Sequence, residues 1–64
     1  MKPDQLEKDK LYHYKLDDAC FTMRYTGTNK IVKDLNAWFF EVVSAKKPYT
    51  TFVFESELKD FIPV

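Results

Sequence analysis

The chain has one glycine, one cysteine and one histidine, and ten basic side chains balance ten acidic ones. Each scarcity removes a class of function. A single glycine cannot supply the Gly-rich loop that cradles a phosphate. Cys20 stands alone, so no intramolecular disulfide forms, and a cytoplasmic, reducing setting is the simplest expectation. One His and one Cys fall short of the three or four ligands of a zinc site, and Asp17-Asp18 lack spaced oxygen partners for a harder cation. A Cys20–His13 nucleophilic pair would need a third, orienting group and a pocket; a strand histidine and an inert strand thiol are the plainer reading. We therefore expect no enzyme, no cofactor and no metal.

The flat charge balance bears on partners. Residues 1–34 carry seven basic and six acidic side chains, and residues 35–64 carry three and four. Nucleic-acid affinity rests on clustered Lys and Arg that neutralise phosphates, and no such cluster is evident. No apolar run approaches the ~20 residues of a membrane span. Residues 1–5 are polar and lack the apolar stretch of a signal peptide.

What the chain does have is aromatic side chains: six Phe, four Tyr and one Trp in 64 residues. A single domain of this size is near the lower limit for a self-sufficient core. Burying one large apolar side chain contributes roughly 1.5–3 kcal/mol, so inward aromatics can replace disulfide or metal staples.

The stretch 37–44, A-W-F-F-E-V-V-S, is the most strand-like, dense in aromatic and β-branched residues without Gly or Pro. With period two, Trp38, Phe40 and Val42 share one face, and Ala37, Phe39, Glu41 and Val43 the other. An unpaired buried carboxylate is costly, so Glu41 turns outward and Trp38, Phe40 and Val42 enter the core. Residues 11–16 form a first strand, in which either Leu11 and His13 or Tyr12, Tyr14 and Leu16 face inward. Asp17-Asp18 make the following turn. Residues 19–26 alternate cleanly, with Ala19, Phe21, Met23 and Tyr25 inward. The lone Gly27 ends that strand at a positive-φ position. Residues 30–36 fit a helical turn, a short strand or a packed loop.

Residues 45–48 make a hairpin loop into a strand over 49–55, with Phe52 and Phe54 matching Trp38 and Phe40 across it. Thr51, Val53 and Glu55 then face out. Ser56 caps a short 3₁₀ turn, and a last edge strand carries Pro63. A lead-in over 3–9 contributes Leu6, with Asp4 and Glu7 at capping-box spacing. The expected core is Leu11, Phe21, Met23, Trp38, Phe40, Val42, Phe52, Phe54, Leu58 and Ile62.

Four strands, a one-turn helix and a short fifth strand resemble the layout of an SH3-like barrel. The resemblance covers nearly the whole chain and rests on order and length. It extends to small bacterial SH3-like proteins that open with a Gly-Asp-x-Val step, although Lys8-Asp9-Lys10-Leu11 lacks the glycine. Leu11-Tyr12-His13-Tyr14 is also similar to the Ala-Leu-Tyr-Asp-Tyr signature of peptide-binding SH3 domains, whose aromatic groove holds polyproline segments. His13 replaces the Asp, the acidic loop shrinks to residues 15–18, and Trp38 falls on the core face. The fold expected is an all-β, five-stranded, mostly antiparallel SH3-like barrel spanning residues 1–64.

The functional expectation is a non-catalytic protein-interaction module that uses an exposed apolar sheet face of Tyr12, Tyr14, Phe39, Val43 and Val53. Its partner is another protein or a second copy of the chain. Two alternatives belong to other classes. One is single-stranded nucleic-acid binding, with bases stacked on Tyr12, Tyr14 and Phe39 beside Arg24 and Lys46. The other is a structural or accessory subunit.

Overall fold

The computed structural model describes all 64 residues, which form five antiparallel strands in one sheet. The strands are β1 (Leu11–Leu16), β2 (Ala19–Val32), β3 (Leu35–Val42), β4 (Tyr49–Val53) and β5 (Phe61–Pro63), in spatial order β4-β3-β2-β1-β5. A 3₁₀ turn at Pro3–Gln5 leads in, and a second, Glu55–Asp60, joins β4 to β5. The sheet is not closed, because β4 and β5 remain its two edges. No helix is long and apolar enough to cross a membrane.

The turn residues act as their chemistry dictates. Asp17 takes a left-handed conformation (φ 52°) in the two-residue turn between β1 and β2, which an Asp side chain tolerates. Gly27 has φ 146°, the expected positive value, but it does not end a strand. It sits at a bulge where the register shifts between Tyr25 and Gly27, and β2 continues to Val32. Residues 30–36 are thus the tip of the β2–β3 hairpin, turning at Lys33-Asp34. The long β2 pairs through Ala19–Arg24 with β1 and through Met23–Val32 with β3, so one strand serves both halves of the sheet.

One face of the sheet carries a ten-residue core: Tyr12, Tyr14, Met23, Tyr25, Trp38, Phe40, Val42, Val53, Leu58 and Phe61. Phe40 is its centre, fully buried, with the rings of Phe61 stacked at 4.6 Å, Tyr25 at 5.3 Å and Tyr12 edge-on at 6.4 Å. Tyr14 stacks on the other side of Phe61 at 4.5 Å. Leu6 and Phe21 pack partly buried against this cluster.

The first strand therefore buries its tyrosines. Tyr12 does so without loss because its hydroxyl accepts a hydrogen bond from the Glu7 backbone N–H at 2.8 Å. The hydroxyl of Tyr25 bonds that of Thr28. With Tyr12 and Tyr14 inside, Leu11 turns outward opposite Arg24 and is 41% exposed, which corrects its place in the expected core.

Two further core residues are corrected by register. The β3–β4 connection is six residues long, so Val42 faces Tyr49, Phe40 faces Thr51 and Trp38 faces Val53. Val53 is buried, while Phe52 lies on the outward face, 43% exposed. The space above Phe40 already holds three rings, and small Thr51 fits opposite it. Phe54, expected in the core, is half-buried and touches Phe52. In β5 it is Phe61 that enters the core opposite Tyr14, which alternation turns into an exposed Ile62 opposite His13. The second 3₁₀ turn starts one residue before Ser56, and its Glu57 carboxylate, not Ser56, accepts the free N–H of Phe54 at 3.1 Å. In the lead-in, Gln5 rather than Asp4 bonds back to the chain start, accepting from the Lys2 N–H at 2.8 Å.

Candidate interaction surface

The outward face is built where β3 and β4 present alternate residues away from the core. Phe39 and Phe52 stand directly opposite one another, with ring centroids 5.7 Å apart. The Phe54 ring follows edge-on to Phe52 at 5.6 Å. These three rings form a continuous outward aromatic strip. It exists because an even number of loop residues pairs the odd-numbered positions of β4 with the even-numbered core positions of β3, so that Y-T-T-F-V sends Tyr49, Thr51 and Val53 towards the core side and Thr50 and Phe52 outward.

Beside Phe39 the bulge leaves a shallow depression of about 300 Å³ lined by Thr26, Gly27, Thr28, Asn29, Phe39 and Thr50. The Thr26 hydroxyl donates to the Phe39 carbonyl at 3.1 Å, which anchors the bulge to β3. A side chain at Gly27 would meet no atom within 4 Å, so the glycine is required by its backbone angle and not by crowding.

Next to the strip the surface becomes polar. Arg24 on β2 lies opposite Glu41 on β3, and its Nε and Nη2 donate to Glu41 Oε1 at 3.1 and 2.6 Å. Its Nη1 donates to Asp9 Oδ1 at 2.7 Å. The outward Glu41 is thus paired. Its hydrogen bond, followed by the nearby charges of Glu41 and Asp9, raises the Arg24 pKa against the opposing effect of desolvation.

The five residues expected to form the binding face do not meet on one surface. Tyr12, Tyr14 and Val53 are buried in the core, the first two by satisfied or stacked rings and Val53 by its position opposite Trp38. Phe39 is outward and half-buried. Val43 is half-buried too, held by its N–H to the Thr22 carbonyl at 3.0 Å, with the Glu41–Arg24 pair between it and Phe39 in sequence and register. Phe52 and Phe54 were hidden from sequence reasoning, since their alternation with Val53 suits either face. Only the loop length, counted from Val42 to Tyr49, carries the signal.

A second surface lies along the free side of β4. A cleft of about 250 Å³ is lined mainly by apolar groups, including Tyr14, Leu16, Phe21, Tyr49 and Phe52, with Glu57 at its rim. Burial, then the charges of Glu57 and Asp60, raises the pKa of Tyr14 above the ordinary 10.0 and keeps the phenol neutral.

His13 and Cys20 do not assemble a reactive pair. His13 Nδ1 lies 3.4 Å from the Thr22 hydroxyl, and exposed Cys20 sits opposite Lys15. No three His, Cys, Asp or Glu side chains gather in a metal-binding group. Compared with known proteins, the chain matches no family model, no curated protein and no solved structure.

Proposed function

We propose that this chain is a non-catalytic protein-interaction module, a small SH3-like barrel that docks another protein on the strip of Phe39, Phe52 and Phe54. The outward pairing of Phe39 with Phe52 carries the reading, because three adjoining rings on the solvent side serve no core. The barrel assignment draws support from the strand order β4-β3-β2-β1-β5, the 3₁₀ turn before the last strand and the shared, bulged β2. Polyproline binding in the manner of SH3 domains loses its support, since the two tyrosines of Leu11-Tyr12-His13-Tyr14 lie in the core. Arg24 is engaged by two carboxylates and the net charge is zero, which favours a protein partner over nucleic acid. A reducing, cytoplasmic setting belongs to this proposal, with exposed Cys20 kept as a thiol.

The test is affinity capture from the cells that make the chain, with the wild type and a Phe39→Ser/Phe52→Ser variant as parallel baits. A protein retained by the wild type and depleted about tenfold or more by the variant supports the proposal. Identical captures by both baits remove the aromatic strip from consideration.

A further inference from the structure

Proteins guard the free edges of their sheets with charges, prolines, bulges or very short strands. The two edges of this sheet differ in that respect. β5 is three residues long and contains Pro63. β4 is Y-T-T-F-V, five residues without charge, proline or bulge. It pairs with β3 on one side only, and its residues make no other hydrogen bond to backbone or side chain. The exposed rings of Tyr49 and Phe52 flank that open edge, and the apolar cleft with Leu16 and Phe21 runs beside it. An unguarded apolar edge of this kind is a template for another strand.

The flanking charges say which strand. Lys46 and Lys47 precede β4, and Glu55 and Glu57 follow it. Lys47 and Glu55 are exposed, and neither takes part in an ion pair within the chain. A second β4 laid antiparallel about Thr51 overlaps all five residues. It sets Thr50 opposite Phe52 and Tyr49 opposite Val53, so every pair keeps its own face of the sheet. These are aromatic–β-branched pairs, among the favourable cross-strand combinations. Beyond the strand, Lys47 lies in the loop two residues before β4 and Glu55 opens the 3₁₀ turn two residues after it, so at both ends the antiparallel arrangement brings the lysine flank of one copy to the glutamate flank of the other. Parallel pairing in register would instead place lysine beside lysine and glutamate beside glutamate. The zero net charge adds no long-range repulsion between copies.

We infer that β4 is a self-pairing edge: two copies join β4 to β4 antiparallel about Thr51, with the Lys47 flank of each at the Glu55 flank of the other. The arrangement is two-fold and closed. It consumes both β4 edges and leaves only the proline-bearing β5 edges outside, so the assembly stops at two chains and one ten-stranded sheet. The inference uses the backbone edge and its flanking charges, and stands separately from docking of another protein on the ring faces.

The experiment is sedimentation equilibrium in reductant, which excludes a Cys20 disulfide, at about 10 µM to about 1 mM chain. The expected mass rises from the 7.6 kDa of one chain to twice that value. Lys47→Glu and Glu55→Lys, both at exposed positions, should each weaken the dimer about tenfold by placing like charges together at two symmetric contacts. An equimolar mixture of the two variants should recover wild-type association, because only the mixed pair restores both opposite-charge contacts. A single-chain mass at every concentration overturns the inference. So does a dimer that ignores both charge reversals, or a mixture that stays as weak as its components.

Discussion

Phe39 and Phe40 are sequence neighbours with opposite tasks: Phe40 is fully buried among three rings, whereas Phe39 faces outward and meets Phe52 at 5.7 Å. The pleat of β3 separates them, since successive side chains of a strand leave on opposite faces. One strand therefore holds the fold together with one set of side chains and offers a surface with the other. The two sets respond differently to substitution.

Phe40→Ala should unfold the protein or come close to it. Deleting a buried Phe costs about 3–5 kcal/mol, and a domain of this size has little more than that to lose. Trp38, also in the core, belongs to the same class. Denaturant titration followed by far-UV circular dichroism checks both, with a native-like transition midpoint for Phe40→Ala as the contrary outcome.

Gly27→Ala should destabilise by about 1–2 kcal/mol although the new methyl group meets nothing within 4 Å. The loss comes from φ 146°, which an L side chain rarely adopts, at the bulge where β2 passes from one register to the next. Thermal unfolding measures it. An unchanged midpoint would mean that the backbone relaxes out of that conformation at no cost.

Tyr14 makes stability fall at alkaline pH. Its native pKa is raised above 10.0 by burial and by Glu57 and Asp60, so the unfolded chain loses the phenolic proton first. The folded state then holds more protons than the unfolded one. Stability is intact below pH 10 and declines as the pH rises from there through the native pKa. Tyr14→Phe should flatten that part of the profile, as measured by chemical denaturation at several pH values between about 8 and about 11.

Much of the central strand was legible because a single charge oriented it. Glu41 could not be buried alone, and it lies outward against Arg24, with Trp38, Phe40 and Val42 inside. The first strand offered no such marker. Tyr12 and Tyr14 suit either face, and the deciding contact is the Glu7 N–H to the Tyr12 hydroxyl, which comes from the lead-in. The fourth strand misled for another reason. Phe52 and Phe54 look like core residues by size, yet any even-numbered loop, six residues here, sets the odd positions of β4 opposite the even core positions of β3, whereas matching Phe52 to Phe40 needs an odd one. A shift of one place exchanged both faces, moving Val53 inside and building the aromatic strip outside. Likewise, Gly27 marks a positive φ in either a turn or a bulge, and only the continued pairing of Thr28 to Trp38 distinguishes them.

On the proposed reading, the outward rings of β3 and β4 serve association with a partner and are not part of what holds the fold. Equilibrium unfolding of the Phe39→Ser/Phe52→Ser variant in denaturant tests this most directly. The expected result is a cooperative transition with native secondary structure and a loss of about 1–2 kcal/mol, the value of an exposed cross-strand aromatic pair and its neighbours. A variant that is unfolded in the absence of denaturant, or as destabilised as Phe40→Ala, would show that the strip is structural and contradict that reading.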